Sequence, residues 1–193
     1  NAPEPLKVII AIFCSQDVYN GWIDYGVPHL KDIILWLSRH PGRFSNEVSH
    51  EEIDGIIKQL PVLQFDKRLK EGLDTFKTWM NHLQEDDYWK PLSVTHRRDQ
   101  IQVPALFIGG WFDRFVSNML NDFVKTVTEN PGSLSAKSRI IIGPWGHRPG
   151  TIYPDMNFGS HAKFQTMFKP MVAWLNCWLK GMSYSYDEKY PIE

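Results

Sequence analysis

The sequence predicts an α/β fold in which a parallel sheet is interrupted by a long helical insertion. Residues 6–13 read LKVIIAIF, a nearly continuous apolar run of strand length. Such runs are typical of parallel strands that are covered on both faces. Two further strand patterns, at 103–108 and 138–142, are separated by a helical pattern over about 116–129. Because strands that alternate with helices form parallel sheets, we expect the three strands to share one sheet.

Residues from about 20 to 99 form the predicted insertion, an all-helical cap without a strand pattern. Apolar residues recur at helical spacing in three successive segments, and turn residues separate these segments. Ser49 and Glu52 have the spacing of a capping box, which predicts the start of the second cap helix. The predicted organisation is therefore a core strand at 1–19, the cap at 20–99 and the rest of the core at 100–181.

The last part of the core carries a helical pattern over about 161–180. Pro170 lies inside this pattern and is expected to break or kink the helix, because proline removes a backbone hydrogen bond. Ser160 is expected to cap the start of this region and Gly181 to cap its end. The tail at 182–193 is interpreted as a linker.

Composition argues against several classes of partner and cofactor. The net charge is −1 and no basic run is interleaved with aromatics, so nucleic acid is not an expected partner. No apolar stretch approaches the roughly 20 residues that a membrane helix requires. Cys14 and Cys177 are predicted to be buried free thiols. The absence of C-x-x-C and H-E-x-x-H patterns predicts no metal site. Because the chain starts at Asn1, with neither a Met nor a signal peptide, the compartment (cytoplasmic or secreted) stays open. The sequence also leaves the oligomeric state open.

Asp113 and His147 are the candidate catalytic residues, because each follows a predicted strand by one short turn. The first turn reads GGWFD (109–113) and the second reads GPWGH (143–147). Ligands of open α/β sheets bind at the carboxyl ends of the strands. The glycines are expected to give both turns a positive φ. An imidazole can act as a base near neutral pH, and a carboxylate that orients it completes the pair needed for acyl transfer.

Each of these two residues also has a simpler interpretation. Asp113 alone could cap the helix that starts near residue 116, and His147 alone could be a surface histidine. The pair favours the functional interpretation, since an acid followed by a histidine after successive strands is the chain order of α/β-hydrolases. We therefore expect a carboxylate oxygen of Asp113 to lie about 2.6–3.2 Å from Nδ1 of His147.

Several segments resemble motifs of the CocE/NonD family, the X-prolyl dipeptidyl-peptidase-like serine hydrolases that include cocaine esterase and α-amino-acid ester hydrolases. VPALFIGGWFDRF (103–115) and IIIGPWGH (140–147) are similar to the acid and histidine motifs. WMNHLQEDDYW (79–89) resembles the stretch before the acid strand, and WLNCWLKG (174–181) resembles the last core helix. Residues 6–19 resemble the strand and turn that follow the nucleophile helix, so the resemblance covers nearly the whole chain.

The resemblance implies that Asp113 and His147 are the acid and base of a catalytic triad. It implies that the fold is the carboxyl-terminal part of an α/β-hydrolase sheet, with a helical cap inserted between two strands and a jelly-roll domain beyond the 182–193 linker. The family's G-x-S-Y-x-G nucleophile turn and oxyanion tyrosine are expected before Asn1, because the chain contains no G-x-S-x-G. By this interpretation the chain is inactive without the missing nucleophile.

Trp22 and Phe115 are the candidate substrate-binding residues. In the family an aromatic residue at the entry to the cap can wall the acyl pocket, and a residue two positions beyond the acid can line the same cavity. Both side chains could instead belong to the packing of the cap and of the helix after the acid. The acidic run 85–87 could bind a substrate ammonium but is more typical of a solvated turn. The remaining histidines are interpreted as surface residues.

Together these features predict a serine hydrolase that cleaves an ester or amide bond through an acyl-serine intermediate, without a metal or organic cofactor. The expected substrate is a small ester, an amide or a short peptide, and X-Pro dipeptidyl-peptidase activity is the nearest variant within the family. The alternative from another class is a non-catalytic pseudo-hydrolase that uses the cap groove for binding. A G-x-S-x-G motif upstream of Asn1 would distinguish the two.

Overall fold

The chain divides into two compact units. The helical unit comprises Val18–Leu92, and the sheet unit comprises Asn1–Asp17 together with Ser93–Glu193. The computed structural model describes residues 6–39, 49–68, 74–150, 153 and 155–184. Its helices and strands are, in chain order, β1 (Ile9–Ile12), α1 (Val18–Trp22), β2 (Ile23–Asp24), β3 (Val27–Pro28), α2 (Leu30–Arg39), α3 (His50–Ile57), α4 (Phe65–Arg68), α5 (Asp74–Asn81), β4 (Ala105–Gly110), α6 (Val116–Thr128), β5 (Arg139–Gly143) and α7 (Phe168–Lys180).

Three parallel strands form the centre of the sheet unit, in the order β1-β4-β5. Ile12 lies opposite Ile108 in the first pair, and Gly110 lies opposite Gly143 in the second. All three strands therefore end at the same edge of the sheet. The α/β fold with a parallel sheet is thus confirmed.

Two helices cover the two faces of this sheet. Strand β4 is buried along its whole length, and its side chains alternate between the faces. On one face Phe107 packs against Phe123 of α6, with 5.9 Å between ring centroids. On the other face Leu106 packs with Trp174 of α7. Because both faces are covered, the strand reads as a continuous apolar run in the sequence.

The helical unit has an apolar core of its own. Each of the helices α1–α5 contributes at least one buried apolar side chain, and Trp89 lies fully buried among them. Helix α3 begins at the predicted capping box, which is confirmed. Ser49 Oγ accepts the Glu52 N–H at 3.1 Å, and Glu52 Oε2 accepts the Ser49 N–H at 2.9 Å. The box satisfies two N–H groups, one of them among those that a helix start leaves without intrahelical partners.

The expectation of an all-helical cap is wrong in one place, because β2 and β3 form a small antiparallel hairpin. Tyr25 and Gly26 make its two-residue turn, with φ values of 50° and 82°. Positive φ at both turn residues matches the twist of the flanking strands and is typical of such hairpins. The two strands contain two residues each, which is too short to produce a recognisable alternation in the sequence.

The final helix also differs from the expectation. Helix α7 starts at Phe168, so Pro170 falls in its first turn, where a missing N–H costs no intrahelical bond and does not break the helix. Ser160 lies within a short 3₁₀ turn, Gly159–Ala162, and does not cap this helix. The predicted cap at Gly181 is confirmed: its φ is 68°, and its N–H bonds the Cys177 carbonyl at 3.1 Å.

The two cysteines are free thiols, as predicted, but they are not buried. Cys14 is exposed and Cys177 is half-buried. Cys14 stands just beyond the end of β1, where the chain leaves the sheet and the apolar pattern that suggested burial stops.

None of the helices that the structure describes is both long and apolar enough to cross a bilayer.

Candidate active site

The two glycine-containing turns lie side by side at the carboxyl edge of the sheet and are tied together by backbone hydrogen bonds. Trp111 N–H donates to the Gly143 carbonyl and Phe112 N–H donates to the Trp145 carbonyl, both at 3.0 Å. The Asp113 N–H closes its own turn on the Gly110 carbonyl, also at 3.0 Å. These backbone hydrogen bonds hold the turn that carries Asp113 against the turn that carries His147, independently of any side-chain contact.

The glycines of these turns are required for close approach and not for positive φ, which corrects the expectation from the sequence. A Cβ on Gly110 would lie 2.0 Å from the Trp145 carbonyl oxygen, and one on Gly143 would lie 2.6 Å from the Trp145 ring. Neither glycine has a φ in the left-handed range. The backbone of each turn thus passes where no side chain fits.

We expect Gly110→Ala to lower the free energy of unfolding by roughly 2–4 kcal/mol, because the added methyl group collides with a backbone carbonyl that cannot move aside. Chemical denaturation followed by tryptophan fluorescence measures the change. Gly132→Ala is the matched control, since a Cβ there meets nothing within 4 Å. An unfolding midpoint that is equal in the two variants would contradict the close approach.

Asp113 and His147 meet as predicted. His147 Nδ1 lies 3.1 Å from Asp113 Oδ1, which confirms the expected distance. The Asp113 side chain is 1% exposed, whereas the His147 side chain is 59% exposed. The buried carboxylate of Asp113 thus holds Nδ1 of the His147 imidazole, while more than half of the His147 side chain is exposed.

The simpler interpretation of Asp113 as a helix cap is not supported. Helix α6 has Phe115 at its N-cap position, and no side chain caps it. Asp113 Oδ1 accepts the Phe115 N–H at 3.1 Å, a local turn bond that fixes the carboxylate. Asp113 Oδ2 is buried and has no hydrogen-bond partner among the described residues.

Two phenylalanine rings flank the His147 imidazole. The Phe115 ring meets it edge-on at 5.3 Å between centroids, and the Phe13 ring lies at 6.2 Å. Phe115 is only 9% exposed, and the Arg114 guanidinium carbon stands 4.1 Å above its ring centroid. Phe115 therefore packs against the histidine more than it offers open surface to a ligand. Sequence reasoning missed Phe13, whose only signal is its position as the last apolar residue of 6–13.

Cys14 follows the end of β1 by two positions, and its environment disfavours the thiolate form. Although Cys14 as a whole residue is exposed, partial desolvation of its sulfur by neighbouring groups raises the pKa of the thiol, and the carboxylates of Asp122 and Asp113 raise that pKa further. A thiol with a raised pKa is a poor nucleophile near neutral pH, because the thiolate is the reactive form. The environment of Cys14 therefore does not favour it as the nucleophile.

Trp22, the other candidate substrate-binding residue, belongs to a group of tryptophans within the helical unit. Its ring lies 5.3 Å from the Trp36 ring and 5.5 Å from the Trp79 ring. Trp79 is 5% exposed and Trp36 is 37% exposed, so the group extends from the core to the surface. Sequence reasoning missed Trp36, although it shares the helical spacing of the apolar face of α2.

The acidic run 85–87 contacts one of the other histidines, His82. His82 Nδ1 lies 2.6 Å from Asp86 Oδ2, and the Tyr88 ring stacks on the imidazole at 4.4 Å. This hydrogen bond to His82 lowers the pKa of Asp86. The described residues include no group of three or more His, Cys, Asp or Glu side chains that could hold a metal ion.

A parallel α/β sheet with an acid and a histidine on neighbouring turns at its carboxyl edge is the architecture of the α/β-hydrolase class. The chain belongs to the X-Pro dipeptidyl-peptidase (S15) family, whose sequence model matches residues 1–149. The resemblance inferred from the motifs is therefore confirmed at the level of the family.

Two individual proteins extend this comparison. The chain is 35% identical over 68 residues to the cocaine esterase of Rhodococcus sp. (strain MB1 Bresler), covering 35% of this chain and 11% of that protein. The crystal structure of an aminopeptidase from a marine sediment archaeon (Thaumarchaeota archaeon) superposes with a TM-score of 0.73 at 18% identity. That match covers 95% of this chain and 32% of the aminopeptidase chain, and it bears on the fold alone. The chain thus spans about a third or less of these relatives.

Proposed function

We propose that this chain provides the acid and the base of a serine hydrolase that cleaves ester or amide bonds through an acyl-serine intermediate. The observation that carries the proposal is the contact between Asp113 Oδ1 and His147 Nδ1. A buried carboxylate on Nδ1 selects the tautomer with its proton on that atom, so that Nε2 has a lone pair available as a base.

The proposed chemistry uses Nε2 of His147 twice. The serine hydroxyl attacks the carbonyl carbon while its proton passes to Nε2, and the proton then passes to the leaving alcohol or amine as the acyl-serine forms. Water attacks the acyl-serine in the same way, and collapse of the second tetrahedral species releases the acid and returns the proton to the serine. Asp113 stays ionised throughout and stabilises the imidazolium.

The serine and the oxyanion donors are proposed to come from other parts of the complete protein. No G-x-S-x-G occurs among the 193 residues, and the relatives are about three or more times as long as the matched part. We further propose that the helical unit Val18–Leu92 acts as the cap that the sequence predicts over 20–99. The 182–193 linker, most of which lies outside the described residues, is proposed to lead to a jelly-roll domain. The proposed substrate class is a small ester, an amide or a short peptide.

The test is a pre-steady-state experiment on the complete natural protein with a p-nitrophenyl ester. A burst of about one equivalent of p-nitrophenol per enzyme, followed by slower turnover, is the sign of an acyl-enzyme. The burst should disappear in the His147→Ala variant. A protein that binds the ester without hydrolysing it would instead favour a non-catalytic pseudo-hydrolase.

We propose that Trp22 and its neighbour Trp36 contribute an aromatic surface for the acyl group of the substrate. On this basis Trp22→Ala should raise KM for a p-nitrophenyl benzoate roughly tenfold, because an aromatic side chain contributes about 1.5–3 kcal/mol when it is covered. The matching acetate ester should be affected much less. Tyr25→Ala is the control, since that side chain is fully exposed in the same unit. Equal changes in KM for both esters would argue for loss of packing alone.

A further inference from the structure

A buried ion pair lies in the sheet unit apart from Asp113 and His147. The Arg98 Nη2 atom lies 3.3 Å from Asp122 Oδ1, and the two side chains are 7% and 4% exposed. Arg98 also donates from Nη1 to Glu129 Oε2 at 3.2 Å. Burying two charges carries a desolvation cost that their attraction repays only with good geometry, so such a pair is weak evidence of a stabilising role. Its other hydrogen bonds indicate a different role.

Those other bonds converge on the turn that follows β1. Asp122 Oδ2 accepts the Gln16 N–H at 2.7 Å and the Ser15 hydroxyl at 3.3 Å. Arg98 Nε donates to Gln16 Oε1 at 2.9 Å. The Gln16 carbonyl in turn accepts the Val94 N–H at 2.8 Å. The pair therefore holds both the backbone and the side chain of Gln16.

Phe13 stands at the start of this turn in an unusual backbone conformation. Its φ is 46°, in the left-handed region that a bulky residue adopts only when its surroundings impose it. The Phe13 N–H donates to the Ile108 carbonyl at 2.9 Å and so continues the strand pairing. On the other side, the turn is anchored at Gln16 by Asp122. The ring held between these anchors lies 6.2 Å from both the His147 ring and the Trp145 ring.

We propose that Arg98 and Asp122 are positioning residues for the hydrolytic site, which hold the turn after β1 so that the Phe13 ring packs against the His147 imidazole. This inference rests on the proposed function, because it assigns a purpose to the orientation of His147. Asp113 fixes one nitrogen of that ring, and the Phe13 and Phe115 rings limit its tilt. A base that is displaced by about 1 Å can lose roughly 100-fold in rate.

The inference predicts that Phe13→Leu and Arg98→Met each lower kcat roughly tenfold in the complete natural protein, with less than about a twofold change in KM. The double variant should lose no more than either single variant, since Arg98 acts through Phe13. The NMR resonance of the His147 Cε1–H should shift in the same direction in both single variants. Lys125→Met is the control, because it removes an exposed cation from α6, the helix that carries Asp122, and it should leave kcat unchanged.

Three results would overturn the inference. One is an Arg98→Met variant with a lower melting temperature but an unchanged kcat and an unchanged His147 resonance. Another is a double variant in which the two losses multiply. The third is an unchanged kcat in Phe13→Leu. If Arg98→Met does not fold, Arg98→Lys and Phe13→Leu take its place.

The same experiments separate this inference from the proposed function. If His147→Ala hydrolyses the ester as fast as the unchanged protein, the proposed function fails. The His147 resonance in Phe13→Leu and Arg98→Met would still report whether the network positions the imidazole. If His147→Ala is inactive while both resonances and both kcat values stay unchanged, the positioning inference alone fails.

Discussion

Replacing His147 with alanine should lower kcat for a p-nitrophenyl ester by at least about 1,000-fold in the complete natural protein. Removing the base leaves the serine hydroxyl protonated and the leaving group without an acid, and losing one member of a triad typically costs several orders of magnitude. KM should change little, because the imidazole is proposed to act on the reacting atoms and not on the distant parts of the substrate.

The control for this substitution is His96→Ala, which removes an exposed histidine of the same unit. It should leave kcat within about twofold of the original value. Most substitutions of exposed residues change stability by less than about 0.5 kcal/mol, so the fold should also be unaffected. Far-ultraviolet circular dichroism and the melting temperature should be alike in the two variants. Hydrolysis that survives in His147→Ala would exclude this residue as the base.

The 193-residue chain expressed alone should hydrolyse the ester no faster than its own His147→Ala variant, because it lacks the proposed serine.

Asp113→Asn should lower kcat by roughly 10,000-fold while leaving the fold intact. The amide has nearly the same shape as the carboxylate, but it lacks the negative charge that stabilises the imidazolium. Where the amide nitrogen faces Nδ1, it also donates a hydrogen bond that stabilises the tautomer with the proton on Nε2. In that tautomer His147 cannot accept the serine proton.

Asp99→Asn provides the comparison for Asp113→Asn, because Asp99 is exposed and lies in the same unit. Steady-state kinetics of both variants, with the same ester, give the ratio that matters. A kcat for Asp113→Asn within tenfold of the unchanged protein would show that the 3.1 Å contact with His147 does not serve catalysis.

Much of the sheet unit could be predicted from local patterns. The three strands appear in the sequence as apolar runs, although each begins one to three residues later than predicted. The pairing of Asp113 with His147 also follows from the sequence, because parallel strands that are neighbours bring their carboxyl ends to one edge. The capping box at Ser49 has the same local origin, since it depends on residues three positions apart.

Features that depend on close packing could not be predicted in this way. Glycine is required at position 110 because the Trp145 carbonyl oxygen, 35 positions further along the chain, leaves no room for a Cβ atom. The sequence had suggested positive φ instead. The hairpin at Tyr25 and Gly26 has strands too short for any periodicity. The correction at Pro170 depends on where α7 begins, and helix boundaries are set by tertiary contacts as much as by propensity.

By itself, the sequence determined the fold class, the family and the two residues that meet at the edge of the sheet, because strand patterns and turn motifs are local. Only the tertiary structure decided that Phe13 flanks His147 and that Arg98 and Asp122 hold its turn. Ser15 and Asp122 are 107 positions apart, and nothing in a local pattern records such a contact. Strand register and helix packing fix the distances between such residues, and both depend on how the whole unit closes around its core.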